Sequence, residues 1–352
     1  MSNYSSGGRG VKTALAILCV ILALVLVLMI GATVWLEYTL GRIERTDDQL
    51  QDTMSPSQFS ELLNETDPED PTFTGPDLKD DEVTIPTIPA DIIISDEDVV
   101  NILLVGQDRR KGQGRQRSDA MILCTINKEK KTLTMTSFMR DLYVYIPGYY
   151  NQRLNVPYAK GGFDLLNETL AYNFGVRADH CIEVDFDGFQ QAIDLVGGVD
   201  ISLTAKEAEY LNRRGNWGVD PDTSWQLTEG MNHLTGSQAL AYSRIRAIGS
   251  DFGRTNRQRK VLTELIDEAK DLSLIQVYQL VDQLIPMITT DMSDKEIIGY
   301  LVDLFPLLGD LEIVTQRVPA DGMYESARVN KMQVLMPNLE KIRQMLADTI
   351  GS

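Results

Sequence analysis

Half of the chain's twenty arginines fall in three short windows. The first holds Arg109, Arg110, Arg115 and Arg117, the second Arg140 alone, and the third Arg244, Arg246, Arg254, Arg257 and Arg259. Acids accompany each window: Asp108 and Asp119 bracket the first, Asp141 follows Arg140, and Asp251 lies in the third. Guanidinium forks grip oxygens in pairs, and carboxylates hold hard cations, so this combination suits a phosphate ester or pyrophosphate with a metal ion. A solvated basic loop is the bland alternative for any one window. Three windows in a chain of net charge −18 argue against it. Two histidines, His180 and His233, stand in unrelated contexts, and there are three cysteines. A histidine-based triad or a His/Cys zinc site is therefore disfavoured, and catalysis would rest on Asp, Arg and a bound cation.

Regular elements must carry these residues. An apolar run at 102–105 reads as a buried strand that Gly106 releases into the first arginine loop. Residues 120–127 and 132–138 read as two strands joined by a charged turn at 128–131. If the turn centres on Glu129 and Lys130, paired residues have numbers summing to 259, and Asp119 faces Arg140 at the open end of the hairpin. Residues 141–150 continue as an aromatic loop. Gly161-Gly162 leads into a helix with Phe163, Leu166, Leu170 and Phe174 on one face. Strands follow at 180–186 and 199–203, with a helix at 187–196 between them that Gly197-Gly198 ends.

Residues 227–242 read as a helix capped by Thr228 or Thr235. Arg244 and Arg246, two apart, would share one side of an extended backbone. A helix over 254–270 places Arg254, Gln258, Val261 and Leu265 on one buried face, where an arginine needs a partner. Its N-terminus is itself suited to anions. Apolar helices follow residue 272, broken at Pro286 and Pro306; core packing and a pocket for an apolar tail would use the same residues. An edge strand at 311–318 and a closing amphipathic helix at 331–349 complete the pattern. The fold class is α/β: an α–β–α sandwich with a mixed central sheet.

Residues 13–36 carry no charge over 24 positions. As a helix they reach roughly 36 Å, enough for a hydrocarbon core of about 30 Å. The expected organisation is a cytoplasmic tail at 1–12, a transmembrane helix at 13–36, a disordered acidic stalk at 37–98 and one extracellular domain at 99–352. Cys124 and Cys181 sit in apolar runs and are expected as buried free thiols.

The motifs NILLVG-x-D-R, R-S-D-A-M, F-M-R-D, FDGF, L-x-G-x-Q-A-L-A-Y-x-R-x-R and D-F-G-R-x-x-R-Q resemble the LytR–CpsA–Psr family, closely over 100–270 and more loosely over the C-terminal helices, 271–352. The resemblance implies a membrane-anchored, magnesium-dependent phosphotransferase that moves an anionic glycopolymer, such as teichoic acid or capsule, from undecaprenyl pyrophosphate onto peptidoglycan. Mn²⁺ is an alternative cation. It assigns Asp108 and Asp119 to the metal, and Arg117, Arg140, Arg244, Arg246, Arg254 and Gln258 to the pyrophosphate. Asp119, Arg140, Arg244 and Asp251 carry the catalytic role. Where the family commonly has Thr after Asp141, this chain has Leu142. A polyprenyl-pyrophosphate pyrophosphatase and a non-catalytic wall- or lipid-binding module are the alternative readings. An acidic chain outside the membrane does not suit nucleic acid.

Overall fold

Strand residues here alternate between two apolar faces, and both faces are covered. The structure, a computed structural model, describes residues 38–45, 66–67, 73–85, 93–94, 96, 98–107, 115–213, 225–249 and 251–350. The expected membrane helix at 13–36 lies outside them, as does the tail at 1–12. Among the described residues no helix is long and apolar enough to cross a membrane. Contacts divide the chain into two units, residues 1–43 and residues 44–352.

The strands of the second unit, in chain order, are β1 (Glu44–Arg45), β2 (Asp77–Leu78), β3 (Val99–Gln107), β4 (Ser118–Asn127), β5 (Thr132–Phe138), β6 (Tyr143–Tyr145), β7 (Asn151–Arg153), β8 (His180–Val184), β9 (Val199–Leu203), β10 (Gly230–Leu234), β11 (Ile288–Thr290), β12 (Glu312–Val318), β13 (Tyr324–Val329) and β14 (Met332–Pro337). Its helices are α1 (Val156–Phe174), α2 (Phe186–Val196), α3 (Ala205–Asn212), α4 (Gly236–Ser243), α5 (Asp251–Lys270), α6 (Leu274–Leu284), α7 (Asp294–Leu304) and α8 (Leu339–Ile350). Seven strands form the main sheet in the order β1-β11-β8-β3-β4-β5-β12. Parallel and antiparallel pairs mix: β3 runs antiparallel to β4 and parallel to β8, and β12 runs parallel to β5.

Leu103, Met121, Leu123 and Phe138 pack under α1 and α8. The intervening residues Ile122, Cys124, Ile126, Leu133 and Met135 pack under α5 and α7. That period-two division makes the sandwich. The β4–β5 register pairs Ile122 with Ser137 and Leu123 with Thr136, the expected sum of 259. Cys124 and Cys181 are buried and free; burial pushes the Cys124 thiol up to about 12.

Four expectations change, one of them at 141–150, where the aromatic loop contains strand β6, paired with β7. Residues 227–242 are not one helix: β10 pairs with β9, and only 236–243 is helical, with Thr235 accepting from the Gln238 amide. Residues 331–349 begin as β14, because Asn330 and Lys331 adopt positive φ and turn the chain back onto β13; helix starts at Leu339. The stalk expected at 37–98 is not disordered in its described parts: β1 at 44–45 pairs with β11 in the main sheet, and Ile94 bridges Val176. β2 adds to β13 in parallel register, and Val83 is buried with Tyr143, Ala327 and Val329.

Candidate functional site

The hairpin register delivers the centre of the site. Arg140, two residues beyond β5, donates from Nη1 to Asp119 Oδ1 at 2.8 Å. Its Nη2 lies 3.5 Å from Asp251 Oδ1, and its Nε lies 3.6 Å from Asp141 Oδ1. One guanidinium thus faces three carboxylates, from β4, from α5 and from its own turn. The network continues at both ends. Arg246 Nη2 stands 3.6 Å from Asp119 Oδ2, and Arg254 Nη2 donates to Asp251 at 3.0 Å. Arg153, on β7, lies 3.7 Å from Asp141 and 3.2 Å from Asp67. Alternating charges hold each long side chain in place without a ligand.

The electrostatics are not uniform across this network. Burial pushes the Asp119 carboxyl up, but Arg140, Arg254 and Arg246 outweigh it, and its pKa lies below the ordinary carboxylate value. At Asp141 burial wins over Arg140, with Asp251 adding to it, and the pKa is raised. At Arg254 burial, reinforced by Arg140 and Arg246, outweighs Asp251 and lowers the pKa. A buried guanidinium whose charge is disfavoured is where an added anion gains most. Arg254 is 3% exposed, and its Nε has no partner among the described residues. It lies in the first turns of α5, whose N-terminal amides add positive potential.

Arg244 departs from the expected extended geometry. It caps α4 at φ −97°, ψ −1°, and its guanidinium lies 4.4 Å from the centroid of Phe186. Arg246 turns instead toward Asp119, so the two arginines do not act on one spot. Arg117 is half-buried where the chain enters β4, two residues before Asp119. Asp108, with Arg109 and Arg110, lies outside the described residues.

Phe186 also lines a cavity of about 210 Å³ between the sheet and helices α2, α4 and α5. Its walls are almost wholly apolar, including Leu104, Ile122, Phe189, Leu262 and Leu265. Three wall residues are next to site residues: Ala120 follows Asp119, Ser243 precedes Arg244, and Gln258 lies one turn beyond Arg254. Gln258 is therefore a cavity residue. Among the described residues the C-terminal helices contribute Leu284 from α6.

Arg257 and Arg115, counted in the arginine windows but given no role there, and Arg153, which the sequence reading passed over, also have a part here. Arg257 donates to the Ile245 and Ile248 carbonyls at 2.6 and 3.0 Å and pairs with Glu207 at 3.3 Å, clamping the loop that carries Arg246. The R-x-x-R spacing after Gly253 was the available signal. Arg153 had none, since only the β6–β7 hairpin brings it to Asp141. Arg115 is buried, 5.5 Å from the Tyr158 ring, and a Cβ on Gly162 (φ +62°) would lie 2.9 Å from it. Leu142, where a hydroxyl was in question, is fully buried in the core and serves packing.

Among the described residues no group of three or more His, Cys, Asp or Glu could hold a metal ion. Asp119 nevertheless suits a hard cation: it is an ionised oxygen donor with one oxygen beyond hydrogen-bond distance of Arg246. Mg²⁺ takes one or two carboxylates and fills its shell with water and phosphate oxygens.

Residues 64–348 match the LytR_cpsA_psr family. Over 262 residues the chain is 32% identical to the polyisoprenyl-teichoic acid–peptidoglycan teichoic acid transferase TagT of Bacillus subtilis (strain 168), covering 72% of this chain and 78% of that protein. It is 35% identical over 210 residues to the transferase TagU of Oceanobacillus iheyensis, covering 57% and 61%. The structure of TagT bound to LIIa-WTA aligns at a TM-score of 0.60 and 26% identity, over 76% of this chain and 97% of that one. A TagT structure with bound octaprenyl pyrophosphate lipid aligns at 0.56 and 25% identity, over 76% and 97%.

Proposed function

The chain belongs to the LytR_cpsA_psr family, and from that premise we propose that it transfers an anionic glycopolymer from a polyprenyl pyrophosphate carrier, undecaprenyl in the cell, onto peptidoglycan. One juxtaposition supports this most: a cluster of arginines and aspartates centred on Arg140 adjoins an apolar cavity of about 210 Å³. A lipid pyrophosphate has the same two halves. The TagT relatives add weight, since one is named for this transfer and another holds octaprenyl pyrophosphate.

Phosphoryl transfer asks a protein mainly for alignment and charge neutralisation. The tail enters the cavity, and Arg244, stacked on the cavity wall at Phe186, takes the lipid-side phosphate. Arg254, Arg246 and Arg140 face the remaining phosphate oxygens. A saccharide hydroxyl attacks the sugar-proximal phosphorus, the bond from phosphorus to the bridging oxygen breaks, and polyprenyl phosphate leaves with the electron pair. The arginines stabilise charge on the bridging and leaving oxygens. Asp119, with Asp108, would hold Mg²⁺, or Mn²⁺ with the same donors; the cation supplies charge neutralisation at those oxygens. Residues 13–36 would anchor the domain outside the membrane, beside its lipid substrate.

The test is reconstitution of the full chain with a polyprenyl-pyrophosphate-linked saccharide and soluble peptidoglycan oligomers. A covalent saccharide–peptidoglycan phosphodiester, formed with one polyprenyl phosphate per adduct, is expected. Free saccharide phosphate without adduct would mean a pyrophosphatase, and binding with no lipid phosphate released would mean a binding module.

A further inference from the structure

Beyond the arginine cluster from the apolar cavity lies a second hollow, of about 360 Å³. Asp141 and Asp251 open onto it, together with Phe73, Phe252, Ser326 and Gln333. Its outer wall is the 73–78 segment. Arg328 holds that wall, lying 4.9 Å from the Phe73 ring while its amide donates to the Pro76 carbonyl at 2.8 Å. The fit is close: a Cβ on Gly75 would overlap the Ser326 carbonyl oxygen. Phe252 is fixed as a platform between Tyr324, 5.3 Å away, and the guanidinium of Arg317, 4.3 Å away.

Resting on the transferase reading, we propose that this cleft binds the sugar of the peptidoglycan acceptor, with Asp141 taking the proton of its attacking hydroxyl. The lining selects the ligand class. Two carboxylates repel a phosphate and make an apolar tail costly to seat. Arg317 and Arg328, stacked on the two phenylalanines, oppose a cation. A neutral polyol satisfies the rest: its apolar face meets Phe73 and Phe252 where they line the cleft, and its hydroxyls meet Ser326, Gln333 and the acids. The volume is within the range of about 300–1,000 Å³ typical of ligand sites.

Asp141 is placed for the proton. Its nearest cations, Arg140 and Arg153, stand at 3.6 and 3.7 Å, beyond hydrogen-bond distance, whereas Asp251 is held by Arg254 at 3.0 Å. The charged groups facing Asp141 are Arg140, Arg153, Arg254 and Asp251, and burial together with Asp251 keeps its pKa raised. In the step, the acceptor oxygen bonds to phosphorus, its proton passes to the Asp141 carboxylate, and polyprenyl phosphate departs with the former bridging electrons.

The test uses the full chain, a polyprenyl-pyrophosphate-linked saccharide as donor and a soluble peptidoglycan tetrasaccharide as acceptor. Ser326 is exposed, so Ser326→Phe fills the cleft without touching the core. It should raise the acceptor KM by about tenfold or more with kcat little changed, while the melting shift given by geranylgeranyl pyrophosphate stays. Asp141→Asn should lower kcat by about a hundredfold, keep the acceptor KM, and remove the acid limb of the pH–rate profile. An unchanged acceptor KM in Ser326→Phe, or loss of its donor shift, would overturn the cleft assignment while the transferase reading stands. A wild-type chain that forms no adduct would overturn both.

Discussion

The two hollows on either side of Arg140 differ in what they could hold. The inner one is apolar and lies between the sheet and helices α2, α4, α5 and α6; the outer one has carboxylates, aromatic rings and amides in its walls. Both meet the same charged cluster, at Ala120 beside Asp119 and at Asp141 and Asp251. The difference teaches how one site can keep a hydrocarbon tail and a sugar apart while joining them at a phosphate. Separation comes from the elements that wall the two: the inner hollow lies against β3 and β4 of the main sheet, the outer one between the turn after β5, the start of α5, and β13 and β14.

The largest effect should come from the cluster itself. Asp119→Ala removes the acid that orients Arg140 and would hold the cation, and should lower turnover by about 10²- to 10³-fold with the fold retained. Circular dichroism beside an assay of lipid phosphate release measures it; full activity with unchanged Mg²⁺ dependence would break the assignment. Next, Arg254→Lys keeps charge and loses the paired geometry. Turnover should fall by about tenfold, roughly 1.4 kcal/mol. Ala192→Phe, reaching into the inner cavity from α2, should weaken binding of a long polyprenyl pyrophosphate several-fold and leave inorganic pyrophosphate unaffected, as calorimetry would show.

The smallest effect concerns stability and pH. Asp119 has a folded pKa below its unfolded one, so its contribution is complete above the ordinary carboxylate range and is lost as pH falls through the folded value. Asp141 is the reverse. Its folded pKa is raised, so ionising it costs stability once pH exceeds the unfolded value, in full above the folded one. Asp141→Asn should therefore melt slightly higher than wild type at neutral pH and equally below about pH 3, where both forms are neutral. A lower melting temperature at neutral pH would show that Asp141 is a structural ion-pair partner.

The cluster was largely legible in the sequence because two local signals agreed. A charged turn fixed the β4–β5 register, which put Asp119 opposite Arg140. Helical spacing put Arg254 and Gln258 on one face of α5, although the structure then divides them between cluster and cavity. The outer wall was illegible. β2 is two residues long and its segment is acidic, so no periodicity marks it; it is ordered by docking on β13, far away in the chain. The helix expected at 331–349 failed for a related reason. Met332 and Val334 are buried by pairing with β13, which a helical reading of one segment cannot foresee.

Whether the arginines grip a pyrophosphate at the mouth of an apolar cavity is tested most directly by melting temperature. The full chain, as wild type and as Arg254→Lys, is melted with no ligand, with a polyprenyl monophosphate and with a polyprenyl pyrophosphate plus Mg²⁺. A ligand bound only by the native state raises the melting temperature. The predicted result is a larger shift with pyrophosphate than with monophosphate in wild type, and loss of that difference in Arg254→Lys without a fall in ligand-free stability. A variant that melts lower alone yet keeps the full pyrophosphate shift would contradict it, and would make Arg254 a structural residue.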